Sequence, residues 1–397
     1  MPRRGGGFSG PLSTIAVAGI ALGVLVMVMA VSILRGFQAD ISGKVVGFGS
    51  HLTVTNFNGG LAYAEEPIAV DSALMATLRA TPGVRHLQCY ANKGGMVKTA
   101  DQIYGIIFRG LNAGYDTSFF ASCLTEGHLP ALTASGTPSN EVLVSTTIAS
   151  KLGLNVGDKM RTYFWQGDGY RSRAFTVCGL YNTDLTEMDE LYVVGDLRQV
   201  QRVSDWGDTL VGGYEMLVDD FDRLDEVAAR VLTALPYDMQ LTTVRQANPA
   251  LFAWLDLLNA NITLILAIMC LVSAVAIVSA LLIMIFEKSS TIGLLKALGA
   301  NDGSVRRIFV RKAAGLILWG IVIGEGGALA LSVAQQRWHL LTLDPESYSM
   351  AHVPVELNVW IYVAVGVGTL AVCLLALLLP ARYISRISPA KTMRIEN

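Results

Sequence analysis

The densest run of suggestive residues lies between Glu287 and Arg311, EKSSTIGLLKALGANDGSVRRIFVR. Ser289 or Ser290 can cap a short helix there and Gly299 can end it, which puts Ile292, Leu295 and Leu298 on one apolar ridge of a basic loop. Such a ridge in water suits a groove on a partner, or a membrane surface. Elsewhere the search for chemistry is negative. A phosphate-binding loop needs Gly-x-x-x-x-Gly-Lys-Ser/Thr, so that backbone N–H groups and a lysine surround the phosphates. The one Gly-Lys pair, Gly43-Lys44, has Gln38 where the first glycine belongs and Val45 after the lysine. His51, His86, His128, His339 and His352 form no His-Glu-x-x-His pattern, and no Gly-x-Ser-x-Gly elbow occurs. Asp219-Asp220 adjoins a helix start, where carboxylates cap. No catalytic, cofactor-binding or metal-ligating residue is assigned, so the chain is expected to be non-catalytic.

The elements that hold the Glu287–Arg311 segment are legible from composition. Of 397 residues 52% are hydrophobic and 16% charged, against about 25% charged in soluble domains. Ser13–Leu34, Ile262–Phe286, Ala313–Ala334 and Val359–Leu379 lack Lys, Arg and Asp, and each is long enough to cross the roughly 30 Å hydrocarbon core. The expected class is an α-helical membrane protein with four transmembrane helices: 13–34, 262–286, 313–334 and 358–379. Gly19/Gly23 and Gly320/Gly324 are four apart, a spacing that lets helix backbones approach in lipid. Glu325 stands near mid-membrane, protonated or facing the bundle interior or a wet cleft. A net charge of −2 leaves no nucleic-acid footprint.

Short basic segments stay in the cytoplasm. The N-terminus (1–12) holds Arg3 and Arg4, the 287–312 loop six cations, and the C-terminus (380–397) Arg382, Arg386, Lys391 and Arg394. The 335–357 loop has only Arg337 against Asp344, Glu346 and Glu356. Both termini are therefore expected inside, and 335–357 and 35–261 outside. The 35–261 segment holds 17 Lys and Arg against 25 Asp and Glu, and is long enough for a core of its own. Its cysteines, Cys89, Cys123 and Cys178, allow at most one disulfide and show no metal-binding spacing.

Within it, Leu52–Phe57, Leu87–Lys98, Ile103–Arg109, Glu141–Ser145, Leu191–Val194 and Tyr214–Val218 read as strands, and Val70–Arg79, Thr146–Leu152 and Phe221–Leu235 as helices. Lys159–Gln166 and Ser172–Tyr181 alternate around Gly167-Asp168-Gly169, a hairpin signal. Strands and helices mix without a βαβ rhythm, so the domain is α+β. Two subdomains are expected, with about 112–202 inserted into a frame made by the flanking parts.

The layout of one span, a large outer domain and three more spans resembles the MacB/FtsX superfamily of ABC-transporter permeases, and the motifs keep that family's order. Ser32-Ile33-Leu34-Arg35-Gly36-Phe37 is similar to its exit from span one. Glu141–Ser145 with Leu152-Gly153-Leu154-Asn155-Val156-Gly157-Asp158 is similar to its periplasmic signature. Glu287, Lys288, Ile292, Gly293, Leu295, Lys296, Leu298 and Gly299 are similar to its ATPase-coupling helix. Pro380-Ala381-Arg382 and Ile387-Ser388-Pro389-Ala390-Lys391 are similar to its ending. With no fused ATPase and a large outer domain, the lipoprotein-releasing (LolC/LolE-type) permeases fit best.

The resemblance implies a permease dimer, identical or paralogous, with two copies of a separate ABC ATPase that holds the ATP and Mg; no cofactor sits on this chain. It implies an inner-membrane protein with a periplasmic domain. Lipoprotein would be pressed out of the outer leaflet and handed to a periplasmic carrier by mechanotransmission. Ile33, Leu34, Phe37, Ile262 and Leu266 are the candidate acyl-chain groove, with simple lipid or helix contact the plainer reading. Tyr163, Trp165, Tyr170, Arg171 and Arg173 stand where one such subunit carries a longer carrier-docking hook. The family usually has a longer basic segment before span one, so a shortened start is expected here. The alternatives are a MacB-like exporter of small molecules or peptides, an FtsX-like regulator of a periplasmic enzyme, and a stand-alone receptor, which the coupling motif disfavours.

Overall fold

The computed structural model describes residues 11–59, 65–99, 102–166, 169–343, 350 and 352–378. The expected tails, with their six cations and the closing motifs, lie outside the described residues, as do Gly167 and Asp168 of the hairpin turn. The chain divides into two compact units, a membrane unit built from residues up to Ala39, Ala253–Thr342 and His352 onward, and a second unit built mainly from Asp40–Phe252.

Among the described residues four helices are long and apolar enough to cross a membrane: Pro11–Gly49, Pro249–Glu287, Asp302–Trp338 and Val359–Ala376, hereafter spans one to four. At 1.5 Å per residue a 39-residue helix is about 58 Å long, nearly twice the hydrocarbon thickness. The helices therefore run past the apolar stretches that mark them. In span one the extension stays amphipathic, with Ile41, Val45 and Phe48 buried at helical spacing and Lys44 3.4 Å from Asp40 one turn back. The bundle core holds Ile20, Val24 and Met27 of span one, Ile277 and Leu281 of span two, Ile317 and Ile321 of span three and Cys373 of span four.

Lipid gives helices no hydrophobic reason to associate, so close backbone contact must do it. A Cβ on Gly23 would lie 2.7 Å from Ser273 Oγ, and one on Gly19 3.7 Å from the Ala276 Cβ, so both glycines face span two. A Cβ on Gly320 would lie 2.8 Å from Ile20, and one on Gly324 2.8 Å from Val24, so these two face span one. Glu325 is partly exposed and its carboxylate lies against Gly366 of span four.

Among the described residues the second unit has twelve strands: β1 (Leu52–Asn56), β2 (Ile68–Ala69), β3 (Val84–Lys98), β4 (Ile103–Leu111), β5 (Leu124–Gly127), β6 (Glu141–Ser145), β7 (Lys159–Gln166), β8 (Gly169–Tyr181), β9 (Tyr192–Asp196), β10 (Leu210–Val211), β11 (Gly213–Val218) and β12 (Met239–Thr243). Ten form one sheet in the order β12-β1-β11-β3-β4-β9-β6-β8-β5, with β7 bridging β3 and β8. The flanking segments supply β12 to β4 and the middle segment supplies β9 to β5; the two parts share one sheet, joined where β4 and β9 run parallel and where β7 pairs with β3. Helices Ser72–Ala80 and Leu224–Ala234 bury Leu74, Leu78, Leu224, Val227 and Val231, each worth about 1.5–3 kcal/mol. All five cysteines are free. Asp220 caps the turn at Phe221–Arg223, accepting from Asp222 N–H at 3.0 Å.

Candidate functional site

The membrane unit holds a trough of about 580 Å³. Span one supplies Met27, Val31 and Arg35, successive turns of one helix face, and span two supplies Leu266 and Cys270. The wall opposite is Trp360, Ile361, Ala364, Val365, Gly368 and Thr369 of span four, led in by Glu356 and Asn358. From Met27 to Arg35 is about 12 Å along the helix and from Asn358 to Thr369 about 16 Å. The trough is thus about as deep as one leaflet, half of the roughly 30 Å core.

Its polar end is built by the segment that enters span four. Glu356 N–H donates to Ser32 O at 3.0 Å, and Asn358 donates to Glu356 Oε1 at 3.2 Å while its own Oδ1 caps Trp360 N–H at 3.0 Å. A Cβ on Gly36 would lie 2.7 Å from Pro354 O, so the glycine of the span-one exit motif lets this segment lie against the helix. Gln335 and Gln336 of span three hold it from behind, donating to Val353 O at 3.2 Å and Val355 O at 2.8 Å. Arg35 is exposed at this end. Deeper in, the buried Thr369 hydroxyl lacks a hydrogen-bond partner. The result is a slot with a charged mouth, an apolar body and one spare hydroxyl.

Of the five residues expected to form a groove, only Leu266 lines this trough. Leu34 is buried in helix packing, Ile33 and Ile262 are half-buried off the trough, and Phe37 makes an edge contact with Trp254 at 6.0 Å. The difference is one of helix phase: the trough faces the stripe 27-31-35, about half a turn round the helix from Ile33 and Phe37. Span four was missed altogether, although Ile361, Val365 and Thr369 are spaced four apart.

The loop after span two forms a helix, Ser289–Ala297. Gly299, at φ +91°, lets Ala300 N–H reach back to Leu295 O at 3.0 Å and close the end. The expected ridge divides. Ile292 is fully buried in the bundle core with Ile285, Val305 and Phe309, and Gly293 is buried beside it. Leu295 is half-buried, Leu298 is 78% exposed and Leu294 59% exposed, and Glu287, Lys288 and Gly299 are exposed. The free apolar face is therefore Leu294 and Leu298, because the inward side is taken by the chain's own helices. The side chain of Lys296 lies outside the described residues.

In the β7–β8 hairpin Trp165 pairs with Tyr170 and meets it edge-on at 4.8 Å, both more than half exposed. Arg171 is committed elsewhere, forking onto Asp205 at 2.6 and 2.5 Å. Tyr163 and Arg173 are half-buried.

A buried polar cluster, unforeseen from sequence, closes the end of the span-one helix. The Arg109 guanidinium donates to Phe48 O at 3.0 Å, to Tyr115 Oη at 3.3 Å and to Glu215. Tyr115 and Gln88 donate to Glu215 Oε2 at 2.8 and 3.2 Å. Burial works against the Arg109 charge, but Glu215 and Tyr115 hold it above its ordinary value. Nearby, Glu65 accepts from Asn92 N–H at 2.8 Å, and burial pushes its carboxyl up to about 7.

Among known families, the MacB-like periplasmic core domain matches residues 13–234 and the FtsX-like permease C-terminal region matches 263–389. The chain belongs to the MacB/FtsX superfamily of ABC-transporter permeases. The permease is 23% identical over 410 residues to the lipoprotein-releasing system transmembrane protein LolC of Xylella fastidiosa, covering 99% of this chain and 96% of that protein. LolC of Neisseria meningitidis serogroup B is 21% identical over 99% and 96%, and LolE of Haemophilus influenzae 22% over 96% and 94%. The periplasmic region of MacB from Actinobacillus actinomycetemcomitans aligns over 52% of the permease and 95% of its own chain at 13% identity, with a TM-score of 0.36, too low to add to the assignment. The permease is an inner-membrane subunit with a periplasmic domain, and is non-catalytic.

Proposed function

We propose that the permease releases lipoproteins from the outer leaflet of the inner membrane to a periplasmic carrier, driven by a separate ABC ATPase that acts in two copies on a permease pair. The trough carries this reading. Its depth suits the acyl chains of one leaflet, its mouth presents Arg35 and Glu356 at headgroup level, and its size falls in the range of sites that hold a small ligand. Each buried CH₂ holds a lipid anchor by about 0.8 kcal/mol, so a multi-acylated cargo needs both an external power source and an apolar shelter on leaving. The near-full-length likeness to LolC and LolE relatives supports the same reading, and their near-equal identities favour neither role within a pair.

In this scheme both termini and the Ser289–Ala297 helix are cytoplasmic. Leu294 and Leu298 seat in the ATPase, while buried Ile292 ties that helix to the bundle so that movement is passed inward. Trp165 and Tyr170 offer the carrier an exposed aromatic pair.

The test fills the trough. Ala364→Trp, reconstituted in proteoliposomes with the partner ATPase, is expected to leave ATP hydrolysis within twofold and to abolish transfer of a triacylated lipoprotein to the carrier. Depletion of the permease is expected to leave lipoproteins in the inner membrane. Normal release by the variant, or depletion that disturbs only cell-wall hydrolysis, overturns the reading.

A further inference from the structure

The fold gathers three side chains that no sequence spacing connects: His128, next after β5, Glu141, first in β6, and Cys178, within β8. An imidazole nitrogen, a carboxylate oxygen and the thiol sulfur all lie within 4.8 Å of one another. We propose that His128, Glu141 and Cys178 bind a zinc ion that staples the edge strand β5 to β6 and β8, with water as the fourth ligand.

The donor set selects the metal. A thiolate with an imidazole suits zinc and excludes magnesium and calcium, which take oxygen ligands. Tetrahedral zinc at its usual bond lengths needs its ligand atoms about 3.3–3.8 Å apart, so the three need draw together by roughly 1 Å. His128 is exposed and free to make that movement, whereas Cys178 is buried and Glu141 half-buried. The second ring of contacts is already built. His128 Nδ1 lies 3.1 Å from Leu129 O, which can only accept, so the proton sits on Nδ1 and Nε2 keeps its lone pair. Glu141 Oε2 takes Ala131 N–H at 2.9 Å, which orients the carboxylate and leaves Oε1 for the ion.

Cys178 is the gate. Its thiol donates to Val142 O at 3.3 Å, a hydrogen bond that the incoming ion replaces. On binding, the S–H bond breaks, the proton leaves to solvent, and the sulfur lone pair forms the S–Zn bond with no change of oxidation state. Each ion therefore releases one proton, and affinity rises with pH. The staple has a clear mechanical target. β5 is a four-residue edge strand whose pairing with β8 is irregular, held beyond its end by His128 N–H on Cys178 O at 3.0 Å.

The test uses the full-length permease in detergent, without a polyhistidine tag, titrated with Co²⁺ and then with Zn²⁺. One Co²⁺ per chain is expected, with a sulfur-to-cobalt charge-transfer band in the near ultraviolet that zinc displaces. The band is lost in Cys178→Ser, and His128→Ala weakens binding at least roughly tenfold. His128 is exposed, so its replacement tests the site even if Cys178→Ser does not fold. No thiolate band in the wild type, a band that survives Cys178→Ser, or a binding midpoint unmoved by His128→Ala overturns the proposal.

Discussion

Arg35 and Arg109 carry the same charge on the same side chain and answer opposite demands. Arg109 is 4% exposed, and its guanidinium is divided among Phe48 O, Tyr115 and Glu215. An ion taken out of water costs several kcal/mol unless it is paired and its donors are used. Here the answering groups also finish a helix, because Phe48 O is one of the last-turn carbonyls that a helix leaves unbonded. Arg35 stays in water at the mouth of an apolar trough and makes no salt bridge among the described residues. A charge that is fully answered is architecture. A hydrated charge beside an apolar slot has its interactions still to give, and that is where a ligand gains.

The largest expected effect breaks the architectural half of that comparison. Arg109→Met removes the cation and leaves Glu215 buried, a loss of about 3–5 kcal/mol, seen as earlier thermal unfolding and faster proteolysis of the Asp40–Phe252 unit. A loss under about 1 kcal/mol would mean that the two do not form a buried ion pair. Next comes the loop helix, where a buried and an exposed apolar residue sit two turns apart. Ile292→Asp puts an unpaired charge into the bundle core and is expected to cost roughly 3 kcal/mol or more. Leu298→Asp should leave stability within about 0.5 kcal/mol while uncoupling the ATPase from release. If the two variants behaved alike in a thermal melt, the division of the ridge would be wrong.

What sequence could foresee follows the range of the interactions. The four spans and strands such as Glu141–Ser145 are local signals, written in apolar runs and alternation, and the fold follows them. The trough was less legible: which stripe of span one lines it depends on span four, and no periodicity in one apolar helix reveals its neighbour. Ile292 was misplaced for the same reason: apolar spacing marks a face without saying what covers it. The Arg109–Tyr115–Glu215 cluster was illegible because it joins β4, β11 and the loop beyond β4, more than a hundred residues apart in part. A lone arginine in an otherwise apolar strand, Ile106-Ile107-Phe108-Arg109, was the available hint.

A smaller effect tests the edge of the buried cluster. Glu65 holds its proton more tightly in the fold, with burial moving it from about 4.5 to about 7 against the pull of the Asn92 hydrogen bonds. Its contribution to stability is whole below pH 4.5, fades as pH rises to 7 and stays lost above that. Glu65→Gln removes the titration. The variant should match wild type at pH 4 and exceed it by about 1–3 kcal/mol at pH 8, read from chemical denaturation at the two pH values. Equal stability at pH 8 would place Glu65 in water.

The smallest expected change in stability belongs to Arg35, and it sharpens the other half of the comparison. Arg35→Gln should leave unfolding within about 0.5 kcal/mol of wild type, because an exposed side chain with no salt bridge among the described residues costs little to replace. Its effect belongs in the transport assay. A guanidinium that meets an anionic headgroup or cargo gives charge-assisted hydrogen bonds worth about 1.5–3 kcal/mol, so Arg35→Gln should raise the cargo concentration for half-maximal release about tenfold or more. Arg35→Lys, which keeps the charge and loses the fork, should recover part of it. The wild-type advantage should also shrink as salt rises, since this end of the trough is open to screening. If Arg35→Gln instead lowered stability like Arg109→Met and left release untouched, the exposed arginine would be the structural one and the trough would lose its charged mouth.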